Sequence, residues 1–66
     1  MGKYTIKDFK IGDAVYHITN EYLIMAIIDM NINENKISCR WLDSDGKVQT
    51  SVFIAQELGK AEELLS

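Results

Sequence analysis

One cysteine, one histidine and one acidic loop are the residues of this 66-residue chain whose types and spacing could do chemistry. Cys39 offers a thiolate, but a nucleophilic thiol needs a neighbouring base or a lowered pKa. By the two-residue period of a strand, its neighbours on one face are Ile37 and Trp41, which favour the neutral thiol. A buried, inert Cys39 is therefore expected. His17 shares parity with Val15, so it faces inward or stands at the mouth of the fold. With no second His and no specific Ser-His-acid spacing, a hydrogen-bonded structural role is expected for it rather than general-base work. One His and one Cys are too few soft ligands for a zinc site.

The run Asp43-Ser44-Asp45-Gly46 carries oxygen ligands at calcium-loop spacing. An EF-hand loop, however, needs a bidentate Glu at its twelfth position, and the residue there is Ile54. Asp-Gly between two apolar runs is instead a hairpin turn, because glycine supplies the positive φ that tight hairpins require. Tyr16, Tyr22, Trp41 and Phe53 would make an aromatic cage for a methylated amine if they converged, and nothing in their spacing brings them together. No catalytic residue, cofactor or metal is expected, and the chain reads as a non-enzyme.

The elements that position these residues must come from a small core. A domain of this size buries only about 60% of the surface its unfolded chain exposes. At about 0.05–0.15 kcal/mol per residue, its fold is worth roughly 3–10 kcal/mol. Cys39 is the only cysteine, so no disulfide adds to that. The net charge is −3, and the basic residues Lys3, Lys7, Lys10, Lys36, Arg40, Lys47 and Lys60 are scattered. This balance argues against general affinity for nucleic acid. No apolar run approaches the roughly twenty residues of a membrane span. There is no signal-peptide core, and Ile6 stands where a myristoylation motif that begins Met1-Gly2 wants Ser or Thr. A cytoplasmic protein with a reduced thiol is expected.

Alternation and turn residues predict strands over Ala14–Thr19, Tyr22–Met30, Lys36–Leu42 and Val48–Ile54. Asn20-Glu21 reads as the first turn, and Asn31, Asn33 and Asn35 mark the second. Tyr22–Met30 is almost unbroken apolar sequence and reads as a strand buried on both faces. A fifth strand would come from Tyr4-Thr5-Ile6 or from the segment near Phe53–Leu58. The tail from Ala55 to Leu65 is rich in Ala, Glu and Leu and predicts a short helix or helical turn, interrupted at Gly59. Strands of this kind bury one face best by curling, so the expected architecture is mainly β, a small SH3-like barrel of four to five antiparallel strands forming one domain over 1–66.

The order Phe9-x-x-Gly12-Asp13-x-Val15, Met25-x-Ile27, Cys39-x-Trp41, Gly46, Phe53 and Leu58 resembles the YodC-like family of small bacterial proteins of unknown function. The resemblance covers residues 9–58. It implies a compact β-rich domain and carries over no catalytic or binding residue.

Val15, Met25, Ile27, Cys39, Trp41 and Phe53 are the expected core. If Met25 and Ile27 face inward, Ile24, Ala26 and Ile28 face outward, and Val52 and Ile54 join them from the fourth strand. Such a patch needs a cover. Either the tail supplies it through Leu58, Ala61, Leu64 and Leu65, or a protein does, in which case Ile24, Ile28, Val52 and Ile54 form the interface and a homodimer is the simplest assembly. The leading expectation is a protein–protein interaction module. The alternative is a nucleic-acid-binding SH3-like or KOW-type domain, with Lys36, Arg40 and Lys47 as its only contenders for phosphate contacts.

Overall fold

Gly12 and Gly46 hold φ at +96° and +79°, a region that L side chains rarely enter, and each opens a strand pair. The Asp13 amide donates to the Lys10 carbonyl (3.1 Å), closing a turn with glycine in third place. Gly12 N–H then donates to the Ile27 carbonyl (2.9 Å) and Ile27 N–H to the Asp13 carbonyl (3.0 Å), so Gly12 and Asp13 together face Ile27 as a glycine bulge. The same device ends the Asp43 hairpin: Gly46 N–H donates to the Asp43 carbonyl and Asp43 N–H to the Lys47 carbonyl, both at 2.9 Å. The Asp43 carboxylate fills the loop, accepting from the Asp45 and Lys47 amides (2.9 Å each) and from Gln49 Nε2 (2.8 Å).

The computed structural model describes residues 4–65, with strands β1 (Ala14–His17), β2 (Asn20–Asn31), β3 (Lys36–Leu42), β4 (Val48–Phe53) and β5 (Leu58–Lys60). All neighbours are antiparallel, in the sheet order β4-β3-β2-β1-β5. Three 3-10 turns complete the chain: η1 (Ile6–Asp8), η2 (Ala55–Glu57) and η3 (Ala61–Leu65). The fold is mainly β, an SH3-like five-stranded barrel whose last strand follows a helical turn. The fifth strand comes from the tail. Tyr4–Ile6 is no strand, because Ile6 begins η1, where the Asp8 carboxylate takes the Thr5 amide (2.8 Å). Met1-Gly2 and Lys3 lie outside the described residues.

The sheet wraps Ile6, Phe9, Val15, Met25, Ile27, Ile37, Cys39, Ala55 and Leu58, all buried. Trp41 and Phe53, expected inside, are half-buried and pack against this core from its rim. Trp41 faces inward but pairs with Gln49 near the hairpin end of the sheet, where no further layer covers it.

The expectation of a second strand buried on both faces is corrected by a bulge. Ile27 pairs with Cys39 and Asp29 with Ser38, leaving Ile28 without a partner. Strict alternation from Met25 and Ile27 would send Asp29 inward. The extra residue turns Asp29 out and brings Met30 against the core opposite Ile37. One face of β2 is therefore buried and the other open.

The first turn also moves. Ile18-Thr19 forms it, β1 stops at His17, and β2 already begins at Asn20. In the tail, no α-helix forms across Gly59. Gly59 is a buried strand residue opposite Tyr16, and a methyl added to it would lie 2.5 Å from the Tyr16 ring. Helical turns η2 and η3 do form on either side of Gly59, as the sequence predicts, and a short strand lies between them because Leu58 is needed in the core and Gly59 under that ring.

Two measurements test this packing. Leu58→Ala is expected to cost about 2–5 kcal/mol in urea denaturation, a large part of the total, whereas Trp41→Ala should leave a cooperative fold of reduced stability. An unfolded Trp41→Ala variant beside a stable Leu58→Ala one would reverse the assignment of core and rim. Gly59→Ala is expected to cost about 1–3 kcal/mol, and much less once Tyr16 is also alanine. Equal costs in both backgrounds would mean that the ring is not the obstacle.

Candidate functional site

His17 ends β1, half-buried, with its ring centroid 5.2 Å from that of Phe53. Thr19 N–H donates to Nδ1 (3.1 Å), so that nitrogen is bare and the proton sits on Nε2, which donates to Glu57 Oε2 (3.2 Å). The Thr19 hydroxyl lies 2.6 Å from the same Nδ1. Glu57 sits 40 residues away in η2, where its other oxygen accepts the Ile54 amide (3.1 Å). Sequence spacing offered His17 no acid partner; the structure supplies one through the sheet's closure.

Hydroxyl, imidazole and carboxylate thus stand in the order that nucleophilic hydrolases use. The chemistry is not assembled around them. Nδ1 already takes the backbone amide of the same threonine, which occupies the lone pair a base would use. Neither cleft described below is lined by any of the three residues. The cluster instead fastens the β1–β2 turn to η2, helped by the Ile18 amide donating to the Glu57 carbonyl (2.9 Å). Burial pushes the Cys39 thiol up to about 11, which disfavours its thiolate at neutral pH. Among the described residues, no three His, Cys, Asp or Glu side chains converge as metal ligands.

The outer face of the sheet is different. Ile24, Ile28, Val52 and Ile54 are between 41% and 56% exposed. Their arrangement is not the single cluster that alternation predicts. Ile24 lies opposite Tyr16, two residues beyond the Ala26–Arg40 pair, and Leu42 extends the same face and pairs with Val48. Val52 pairs with Ser38 instead, on the far side of Arg40 and Thr50, Ile28 is the unpaired residue of the β2 bulge, and Ile54 lies past the end of β4. Leu42, Val48 and Tyr22, which is 98% exposed, were not among the predicted interface residues. Counting back from the Asp43 hairpin would have found the Leu42–Val48 pair.

The tail does not cover this face. η3 lies against β1 and β5, Leu58 is in the core, Ala61 is half-buried and Leu64 is exposed. The side chain of Leu65 lies outside the described ones.

A groove of about 190 Å³ adjoins the patch, lined by Arg40, Trp41, Leu42 and Val48. A second cleft, about 370 Å³, is lined by Lys10, Asp13, Ala14, Lys60 and Glu62, whose charges balance. Lys60 Nζ stands 5.3 Å from the Tyr4 ring centroid and 5.9 Å from that of Phe9, holding the N-terminal turn to β5. Tyr16 and Tyr22 are on the outer face, while Trp41 and Phe53 are on the inner, so the four form no aromatic cage. Lys36 pairs with Glu34 (3.9 Å) and stands four residues along β3 from Arg40, roughly 13 Å away. With Lys47 in the hairpin, the three cations make no continuous stripe. No helix among the described residues is long and apolar enough to cross a membrane.

No protein-family model, curated protein or solved structure matches this chain.

The carboxylates predict an acid-sensitive fold. The Ile54 amide and then the His17 ring hold Glu57 below the usual carboxylate range, and the Lys47 amide and then Gln49 do the same for Asp43. A depressed folded pKa stabilises above the unfolded value and loses that contribution as pH falls through the folded one. The melting temperature is therefore expected to fall below about pH 4, and Glu57→Gln to flatten that dependence. A Glu57→Gln variant with the wild-type acid profile would remove Glu57 from this account.

Proposed function

We propose that this domain is a non-enzymatic protein–protein interaction module that self-associates, most simply as a homodimer, through the open face of its sheet. The observation that carries the reading is the apolar row of Ile24, Leu42 and Val48 together with Ile28 and Val52, solvent-facing on a framework with no layer over it. A soluble monomer rarely exposes an apolar patch beyond a few hundred Å². The groove beside Trp41 gives the patch a recess for an inserted apolar side chain, the usual form of an interface anchor.

We further assign the protein to the cytoplasm, in keeping with its one reduced, buried thiol, and to the YodC-like family. The residues of that resemblance occupy framework positions here. Phe9, Val15, Met25, Ile27, Cys39 and Leu58 are buried, and Gly12 and Gly46 hold the two positive-φ turns.

Light scattering across about a hundredfold range of concentration tests the function. The wild type is expected to grow toward a dimer, and the double variant Ile24→Asp, Val52→Asp to stay monomeric with an unchanged circular dichroism spectrum. A folded double variant with the wild-type assembly state would count against the reading.

A further inference from the structure

The two edges of the sheet are unlike. β5 is three residues long and ends in Lys60, which folds over Tyr4 and Phe9. β4 has six residues, Val-Gln-Thr-Ser-Val-Phe, with no charge, no proline and no bulge. Proteins ordinarily blunt a free edge with lysine, proline, a bulge or short length. β5 is blunted in that way, and β4 is not.

The register shows which backbone groups β4 leaves open. Asp43 donates to the Lys47 carbonyl, so residues 43 and 47 face each other through hydrogen bonds. Alternation along the antiparallel ladder then turns the backbone of Gln49, Ser51 and Phe53 toward β3, and that of Val48, Thr50 and Val52 toward the free edge. Among the described residues, no hydrogen bond from outside the sheet reaches those three backbones.

We infer that β4 pairs with β4 of a second copy of this chain, antiparallel, about a two-fold axis at Thr50. The inference rests on the self-association proposed above and names its joint. In this register Val48 stands opposite Val52 of the second copy and Thr50 opposite Thr50, so that outward residues meet outward residues. β-branched cross-strand pairs of this kind stabilise a sheet. Centring the axis one residue on, at Ser51, would require the backbone of Ile54. Both of its groups are taken, the N–H by the Glu57 carboxylate and the carbonyl by the Glu57 amide. Glu57 therefore sets where the joint ends. The register also brings Lys47 opposite Phe53 of the second copy, one residue from the Ile54 amide that holds the Glu57 carboxylate, so opposite charges approach at both ends.

Amide hydrogen exchange on the full chain at low and high concentration, with light scattering alongside, tests the joint. The amides of Val48, Thr50 and Val52 are expected to slow at least about tenfold as the dimer forms, while those of Gln49, Ser51 and Phe53 are protected throughout. Thr50→Pro removes an edge N–H that β3 does not use and should weaken the dimer at least about tenfold with the monomer fold intact. Thr50→Lys, which keeps the backbone and opposes like charges across the axis, should do the same if the proline variant fails to fold. Ile11→Asp, exposed in the turn before β1 and outside the apolar patch, should leave the dimer in place. A dimer that survives both Thr50 variants and dissociates with Ile24→Asp overturns the joint and keeps the self-association. A wild type that stays monomeric at every concentration overturns both.

Discussion

The pairing of Ile27 with Cys39 and of Met30 with Ile37, across the unpaired Ile28, is the contact on which the rest of the sheet depends. Met30 joins Ile27, Cys39 and Ile37 at the core only because the ladder skips a residue between Ile27 and Asp29. Without the skip, the Asp29 carboxylate would point into a core that holds no charged or polar side chain. An unpaired buried charge costs several kcal/mol, comparable to the whole stability of a chain this size. The bulge also bends β2, so that one twelve-residue strand pairs with β1 along its first half and with β3 along its second. Curvature follows from that bend, and a single curved layer has an inside for only one set of side chains.

Closure of the curve falls to the segment after β4. Ala55 and Leu58 are fully buried there, and Glu57 between them faces the other way to take the Ile54 amide and the His17 ring. Asn35, at φ +56°, reaches the same segment through Gln56 (2.7 Å). The one histidine is thus used to bring distant parts of the chain together.

Much of the framework was legible in the sequence, and the reasons for the misses are physical. β3 has the predicted bounds because Asn35 and Asp43 stop it at both ends. The Asp43 loop carried its glycine in the open. The error that matters came from applying a period where tertiary demand overrode it. In β2 the period of two fails at Ile28, and the clue was the aspartate embedded in an apolar run. In the tail the helical turns and their interruption at Gly59 were legible, and what composition did not show is the short strand between them, with Leu58 inside and a residue without a side chain beneath Tyr16. The link between His17 and Glu57 spans 40 residues and leaves no local trace. The outer patch was half legible: alternation put Ile24 and Val52 on it, and only cross-strand register adds Leu42 and Val48.

The asymmetry of the two edges bears on how far assembly proceeds. A head-to-tail contact between β4 and β5 would leave a free β4 at one end and extend without limit, the route by which sheet proteins form fibres. Pairing β4 with itself would use the one long uncharged edge among the described strands of each copy and leave two short edges, each carrying Lys60. On the proposed joint, the assembly would close at the dimer. The outer faces of the two copies also become one surface, since Val48 and Val52 are both edge residues and members of the apolar patch. Edge pairing would bring Val48 and Val52 of the two copies side by side, and it would leave Ile24 and Leu42 open on the joined outer surface.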